Sequence, residues 1–172
     1  QGVLLFYSFK ALYVCCIIKH ESTKWGLGME QKRLNEFICN ILVNASQMAY
    51  VEDAHGTLML LENFNEVFRY LIRDIQTVTL FYELEILNKY ITIIKVQHGD
   101  RFNVHLENEE QNKGIFINHL SVIDFFDNIL YKVLEQFDKP VNITLEFDMS
   151  KDNCLKIILE SEDHRETFTK HL

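Results

Sequence analysis

The chain has 172 residues, of which 48% are hydrophobic and 24% charged, and a formal net charge of −8. That length suits one well-packed domain or two small ones, and the composition is ordinary for a globular protein, which excludes a disordered or fibrous chain. The acidic balance, with no run of five or more Lys and Arg, argues against nucleic acid as a partner, because such binding needs clustered cations to neutralise phosphates.

The first segment, GVLLFYSFKALYVCCII (2–18), is apolar except for Ser8 and Lys10, and Lys19, His20, Lys24, Lys32 and Arg33 follow it. No basic region precedes it and no small-residue cleavage site follows, which speaks against a signal peptide. It falls slightly short of the roughly 20 residues of a membrane span. Two readings fit: the cytoplasmic end of a membrane helix, with Trp25 and the basic flank at the interface, or a buried dimerising helix. A first residue of Gln rather than Met leads to the expectation of a piece of a longer protein. The expected location is cytoplasmic, at the inner face of a membrane. Cysteines stand at 15, 16, 39 and 154. Their spacing suits neither a disulfide nor a zinc site, so they read as reduced thiols. The seven histidines form no HxxxH or HExxH pattern, so no metal is expected on them.

Leu34, Phe37, Ile38, Ile41, Leu42, Ala45 and Met48 recur every three or four residues, which predicts an amphipathic helix over about 29–52. EDAHGT breaks it, and a second helix carries apolar residues from Leu60 to Ile75. Thr77 or Thr79 can cap a third helix, with Glu83 in its first turn and Leu80, Leu84, Leu87, Ile91 and Ile94 as its stripe. Long stripes with short breaks imply a helical hairpin or bundle, and such units dimerise readily. From HGD (98–100) the period changes to two, in Phe102, Val104 and Leu106, as in a half-buried strand. ENEEQNKG (107–114) reads as an acidic loop, and 117–136 as a fourth helix. Two more strands follow, over 141–147 and 155–159, joined by the turn SKDN into an antiparallel hairpin. The fold class expected is α+β, helices first and then a small antiparallel sheet with a packed helix.

The fourth helix carries polar residues inside an apolar segment, FFDNILYK (125–132). At 100° per residue, Asp124, Asn128 and Lys132 form a stripe roughly opposite Ile123, Leu130 and Leu134, with Asp127 near the edge of the apolar face. A carboxylate, an amide and an ammonium in line can hold a metal-bound phosphate, with Asn128 as an oxygen ligand to Mg²⁺. The plain alternative is a solvated face stabilised by i,i+4 pairs worth a few tenths of a kcal/mol each.

The stretch VTLFYELEILNKYITIIKVQHGDRFNVHLE (78–107) resembles the linker of the LytS/YesM-type sensor histidine kinases, VTLxxELxxxxxYLxIxxxRxGDRF. MLLENFNEVFRYLI (59–72) resembles that family's second hairpin helix, and INHLSVIDFFDNILYKVLE (117–135) its N-box helix, LLLQPLVENAIKHG, in the GHKL-type ATPase domain. The resemblance places Asn128 at the Mg²⁺-binding asparagine, Asp127 at the preceding Glu, and Lys132 and Val133 at the family's His-Gly. Nucleotide-binding residues, if any, are then Asn128, Asp124 and Lys132. The phosphoacceptor motif NPHFLFN falls on LNEFICN (34–40), where Phe37 and Asn40 match, Glu36 replaces the histidine and Asn35 the proline.

Two departures bear on activity. Phosphotransfer in this manner needs an imidazole nitrogen as nucleophile, and Glu36 is a carboxylate. All six glycines lie at or before 114, whereas backbone cradles for phosphates rely on glycine. Where the resemblance implies a DxGxG segment, the chain reads LESEDHRETF (159–168), with Glu160 or Asp163 as a substitute for an adenine-contacting Asp. The chain is expected to stop there, without lid or final strands. The division expected is 1–27, a membrane-proximal or dimerising helix; 28–97, a hairpin region for dimerisation; and 98–172, a truncated ATPase-like domain. The resemblance implies two-component signalling by a degenerate, dimeric kinase-like module, with a second copy, a related kinase or a response regulator as partner. No cofactor is expected unless the site is functional, when ATP and Mg²⁺ would be. Alternatives are an active ATP-dependent histidine kinase with an unusual acceptor, and an unrelated α+β binding domain.

Overall fold

The computed structural model describes residues 27–107, 114–137, 139–148, 153–162 and 164–172. The apolar segment 2–18 and Asp163 lie outside them. The chain divides into two compact units between Arg73 and Asp74.

The first unit is a helical hairpin of α1 (Leu27–Val51) and α2 (His55–Leu71). Leu42 and Ala49, one heptad apart on α1, are buried, as are Val67, Phe68 and Tyr70 on α2. The turn is shorter than EDAHGT suggests. Asp53 takes a left-handed conformation (φ 56°) and Ala54 N–H donates to the Ala49 carbonyl at 2.8 Å. Asp tolerates that conformation better than most residues. Helix α2 therefore starts at His55, inside the expected break, and closes before Ile75.

The second unit opens with the short strand β1 (Thr77–Thr79), which runs directly into α3 (Leu80–His98). Thr79 is the cap, its Oγ1 accepting from Tyr82 N–H at 3.3 Å. The expected stripe of α3 is buried throughout, and Glu83, Ile86, Tyr90 and Ile93 are buried as well. A helix buried beyond one stripe is an internal element rather than a surface one. This is why α3 belongs to the sheet-bearing unit, whereas the sequence grouped it with the hairpin in 28–97. Gly99 ends the helix at φ 59°, a region that favours glycine. One 3-10 turn, Gly99–Arg101, leads to β2 (Phe102–Glu107).

After the loop, β3 (Phe116–Asn118) pairs antiparallel with β1, so the residues expected to begin the fourth helix are extended. Helix α4 (Ser121–Gln136) follows, then β4 (Val141–Asp148), β5 (Cys154–Glu160) and β6 (Arg165–His171). The main sheet has the order β2-β4-β5-β6. The β4–β5 hairpin is antiparallel, as expected, but β2 and β4 are parallel. The connection between them contains α4, and such a crossover is what a parallel pair requires. The fold is α+β, with a mainly antiparallel mixed sheet after the helices. Val122, Ile123, Phe126, Ile129, Leu130 and Val133 of α4 are buried, as is the alternating set Val141, Ile143, Leu145 and Phe147 of β4.

Strand β6 overturns the expectation that strands end near 159. It pairs antiparallel with β5 over its whole length. Its segment, RETFTKH, holds one large apolar residue among polar ones, so period-two patterning gives almost no signal for it.

Candidate functional site

Helix α4 carries the expected polar stripe, and α3 with its extension holds it at both ends. The residue before it, Leu120, has φ 66° and supplies no side-chain cap. Glu83 Oε1, fully buried, instead accepts from Val122 N–H at 2.7 Å and Ile123 N–H at 3.2 Å. These are N–H groups left free at a helix start, where the helix dipole also favours a carboxylate. At the other end, Arg101 Nη2 donates to the carbonyls of Leu134 and Phe137, each at 2.9 Å. A guanidinium there satisfies free carbonyls and complements the negative end of the dipole.

Between these clamps, the stripe is turned mostly onto the chain itself. Asn128 is exposed, and its Nδ2 donates to the Asp124 carbonyl one turn back, at 2.7 Å. Its side-chain oxygen is the atom left for a ligand. Lys132 Nζ lies 5.1 Å from the Phe168 ring centre of β6. Lys170 of β6 crosses in the other direction, donating to the Ser121 carbonyl at 2.9 Å and lying 5.7 Å from the Phe125 ring centre. Strand β6 thus lies along α4 and engages residues on both sides of Asn128. Asp124 is half-buried.

Asp127 is half-buried at the edge of the apolar face, where the sequence placed it, and accepts a hydrogen bond from the Tyr90 hydroxyl of α3. Burial raises its carboxyl above the usual carboxylate range, and the Tyr90 bond offsets this in part. A raised folded-state value means that the folded chain binds the proton more tightly than the unfolded one. Stability from this group is therefore complete below the unfolded carboxylate value and is lost as pH rises through the folded one. Asp127→Asn is expected to remove that slope and to leave the variant no less stable than the parent at pH 7. Urea unfolding between pH 3 and 7 checks it; a parallel slope in both proteins would show that another group titrates.

The remaining sequence candidates lie apart from α4 or are engaged elsewhere. Glu36 is exposed on α1, in the hairpin unit. Glu160 ends β5 and pairs with Arg165 Nε at 3.2 Å across the tight connection to β6, where Ser161 N–H also donates to the His164 carbonyl at 2.8 Å. Cys39 and Cys154 are free thiols, half-buried and buried. Among the described residues no group of three His, Cys, Asp or Glu side chains is placed to hold a metal ion. No helix among them is long and apolar enough to cross a membrane.

A second surface lies on the hairpin. Leu34, Phe37, Ile41, Met48 and Val51 of α1 are exposed, Phe37 at 62%, Met48 at 63% and Val51 at 83%. Their spacing of three and four is that of alternate a and d positions in a heptad, with Asn44 at the one polar place. Beside it, a shallow groove of about 510 Å³ between α1 and α2 is lined by Val43, Tyr50, Val51, Leu58 and Glu62 among others.

Sequence reasoning missed the contributions of Tyr90, Arg101, Phe168 and Lys170. For Arg101 a signal existed in the motif GDRF; for the β6 residues none did. No curated protein gives a significant match to the chain. The family model described as histidine kinase matches residues 28–102, a span that takes in the hairpin, β1, α3 and the Gly99–Arg101 turn and reaches the first residue of β2.

Proposed function

We propose that the chain is a two-component signalling protein of sensor-kinase type that has lost phosphotransfer and works as a dimeric interaction module. The observation that carries this reading is the exposed heptad seam of α1, Leu34, Phe37, Ile41, Met48 and Val51, on the same helix as Glu36. That helix has an apolar seam suited to packing on another helix and no imidazole at the acceptor position. The match over 28–102 supports the same reading. A second copy, or a related kinase, supplies the matching seam and completes a four-helix bundle. A response regulator is the downstream partner, and the segment 2–18 associates with the membrane from the cytoplasmic side. Signal passes as a change in helix packing.

The chemistry of α4 is consistent with this. The Asn128 side-chain oxygen fits as one ligand to Mg²⁺, but no glycine follows 114 to cradle a phosphate, and Lys132 is stacked on Phe168. The connection between β5 and β6 is too short to form a lid over a nucleotide.

Calorimetric titration with Mg·ATP is expected to give no binding heat, and labelled ATP no phosphorylated protein. Micromolar binding abolished by Asn128→Ala, or a labelled histidine, would establish instead an active kinase with an unusual acceptor. Ile41→Asp places a charge in the seam and is expected to weaken self-association at least tenfold, about 1.4 kcal/mol. Sedimentation of the full chain measures it; unchanged association would remove the seam from the interface.

A further inference from the structure

Strand β6 is the last strand of the main sheet and pairs with β5 in an uninterrupted register from Arg165 to His171. Its other edge carries backbone groups with no strand partner among the described residues. Such edges invite pairing, and proteins that keep them single use prolines, bulges or inward-pointing charges. The segment 165–171 has no proline, and its pairing with β5 contains no bulge. It does have two charges on the face turned toward α4, Glu166 and Lys170, which sit opposite Leu159 and Leu155 of β5.

Those charges are disposed symmetrically. Phe168 is the centre of RETFTKH, with Thr167 and Thr169 on either side, then Glu166 and Lys170. In an antiparallel pair of two copies about a two-fold axis at Phe168, Glu166 faces Lys170, Thr167 faces Thr169, and Phe168 faces itself. Opposite charges, two threonines and two aromatic rings are each favourable cross-strand pairs. The outermost pair sets Arg165 against His171, where the guanidinium is already held by Glu160 at 3.2 Å. A strand without matching charges would give Glu166 and Lys170 no cross-strand partner, whereas a second copy gives each one of opposite sign, so the same charges disfavour other strands and select this one.

We infer that the outer edge of β6, which has no strand partner among the described residues, docks a second copy of this chain, β6 to β6 and antiparallel, joining two sheets into one across a two-fold axis. The Lys170 side chain is placed for it: Nζ is fixed by the Ser121 carbonyl at 2.9 Å, and an ammonium has three donors, so a facing carboxylate is accommodated. Glu166 Oε2 lies 3.5 Å from His164 Nε2, with about half of each side chain exposed, so its carboxylate is reachable from the edge. The contact is isologous, as in most dimers of identical chains. It is separate from the α1 seam and does not depend on the signalling role.

The test uses the full chain carrying Ile41→Asp, which weakens association through the hairpin seam, and every β6 variant is compared in that shared background. Sedimentation equilibrium up to roughly millimolar protein, where an association of about −4 kcal/mol is half-formed, is expected to show a reversible dimer. Glu166→Lys and Lys170→Glu each set like charges face to face at two symmetric places, and each is expected to weaken that dimer about tenfold or more. An equal mixture of the two single variants is expected to associate as the parent does, because every position 166 then meets a position 170 of opposite sign. The double variant Glu166→Lys, Lys170→Glu is expected to recover self-association, and circular dichroism confirms that each protein is folded. A parent that stays monomeric, single variants that associate as the parent does, or a mixture no better than the single variants would each overturn the proposal. None of these results bears on the hairpin seam.

Discussion

Glu83→Ala is expected to destabilise the second unit by about 3 kcal/mol, because it leaves two buried N–H groups without an acceptor, each worth about 1–3 kcal/mol. Val122 and Ile123 are both buried, at 0% and 2% exposure, so water does not readily replace the lost oxygen. A small cavity adds to the loss. Glu83→Gln keeps a side-chain oxygen at nearly the same place and gives up the charge that the helix start favours, so its cost is expected to be about 1 kcal/mol. The comparison isolates the hydrogen bonds from the packing. Urea unfolding of the full chain, followed by circular dichroism, gives both values. Equal losses in Ala and Gln would show that the charge, not the acceptor, holds the helix start. A loss below about 1 kcal/mol in Ala would show that other groups satisfy the two amides.

Glu83 also shows what could be read in the sequence and what could not. Its place in the first turn of α3 follows from Thr79 and the stripe behind it, and the structure agrees. Its partners lie 39 and 40 residues further on, and nothing in local patterning points that far. In the structure Leu120 stands at the cap position and offers no side-chain acceptor, and the missing cap comes from α3. The same limit applies at the opposite end of α4, where the carbonyls of Leu134 and Phe137 are satisfied from Arg101. Elements with strong period, α1, α3, α4, β4 and β5, were legible because one face of each is apolar. Strand β6 was not, because an edge strand with a single Phe needs no apolar face.

The polar stripe divides in the same way. Helical spacing put Asp124, Asn128 and Lys132 on one side of α4, and Asn128 and Lys132 are exposed there. Spacing says nothing of what lies opposite, and what lies opposite Lys132 is Phe168. The stripe that resembles a nucleotide site is bordered by a strand of the same chain. Asp127 was placed correctly at the apolar edge, but its partner Tyr90 belongs to α3. The sequence shows which side chains share a face, and the structure shows which of them are already engaged.

Arg101→Met is expected to cost about 2 kcal/mol, since it keeps the apolar stem and removes two charge-assisted bonds to the end of α4, offset in part by water reaching a half-buried site. Arg101→Lys retains a cation at the helix end and is expected to recover about half of that, because an ammonium lacks the planar geometry of the guanidinium. A second readout separates charge from packing. The His98 imidazole sits below its usual value, first because it is partly buried and then because Arg101 repels its proton. A lowered folded-state value means that the unfolded chain binds the proton more tightly. The stability contributed by neutral His98 is therefore complete above the unfolded histidine value and is lost as pH falls through the folded one. In Arg101→Met the repulsion is gone, so His98 is expected to titrate higher, closer to an ordinary histidine, while Arg101→Lys leaves it low. Proton NMR of the His98 ring across pH 4 to 8 measures this independently of unfolding. If both variants leave the His98 titration unchanged, burial alone lowers it. If Arg101→Met costs less than about 0.5 kcal/mol, the carbonyls of Leu134 and Phe137 are as well served by water as by the guanidinium, and α4 is held from its N-terminal end alone.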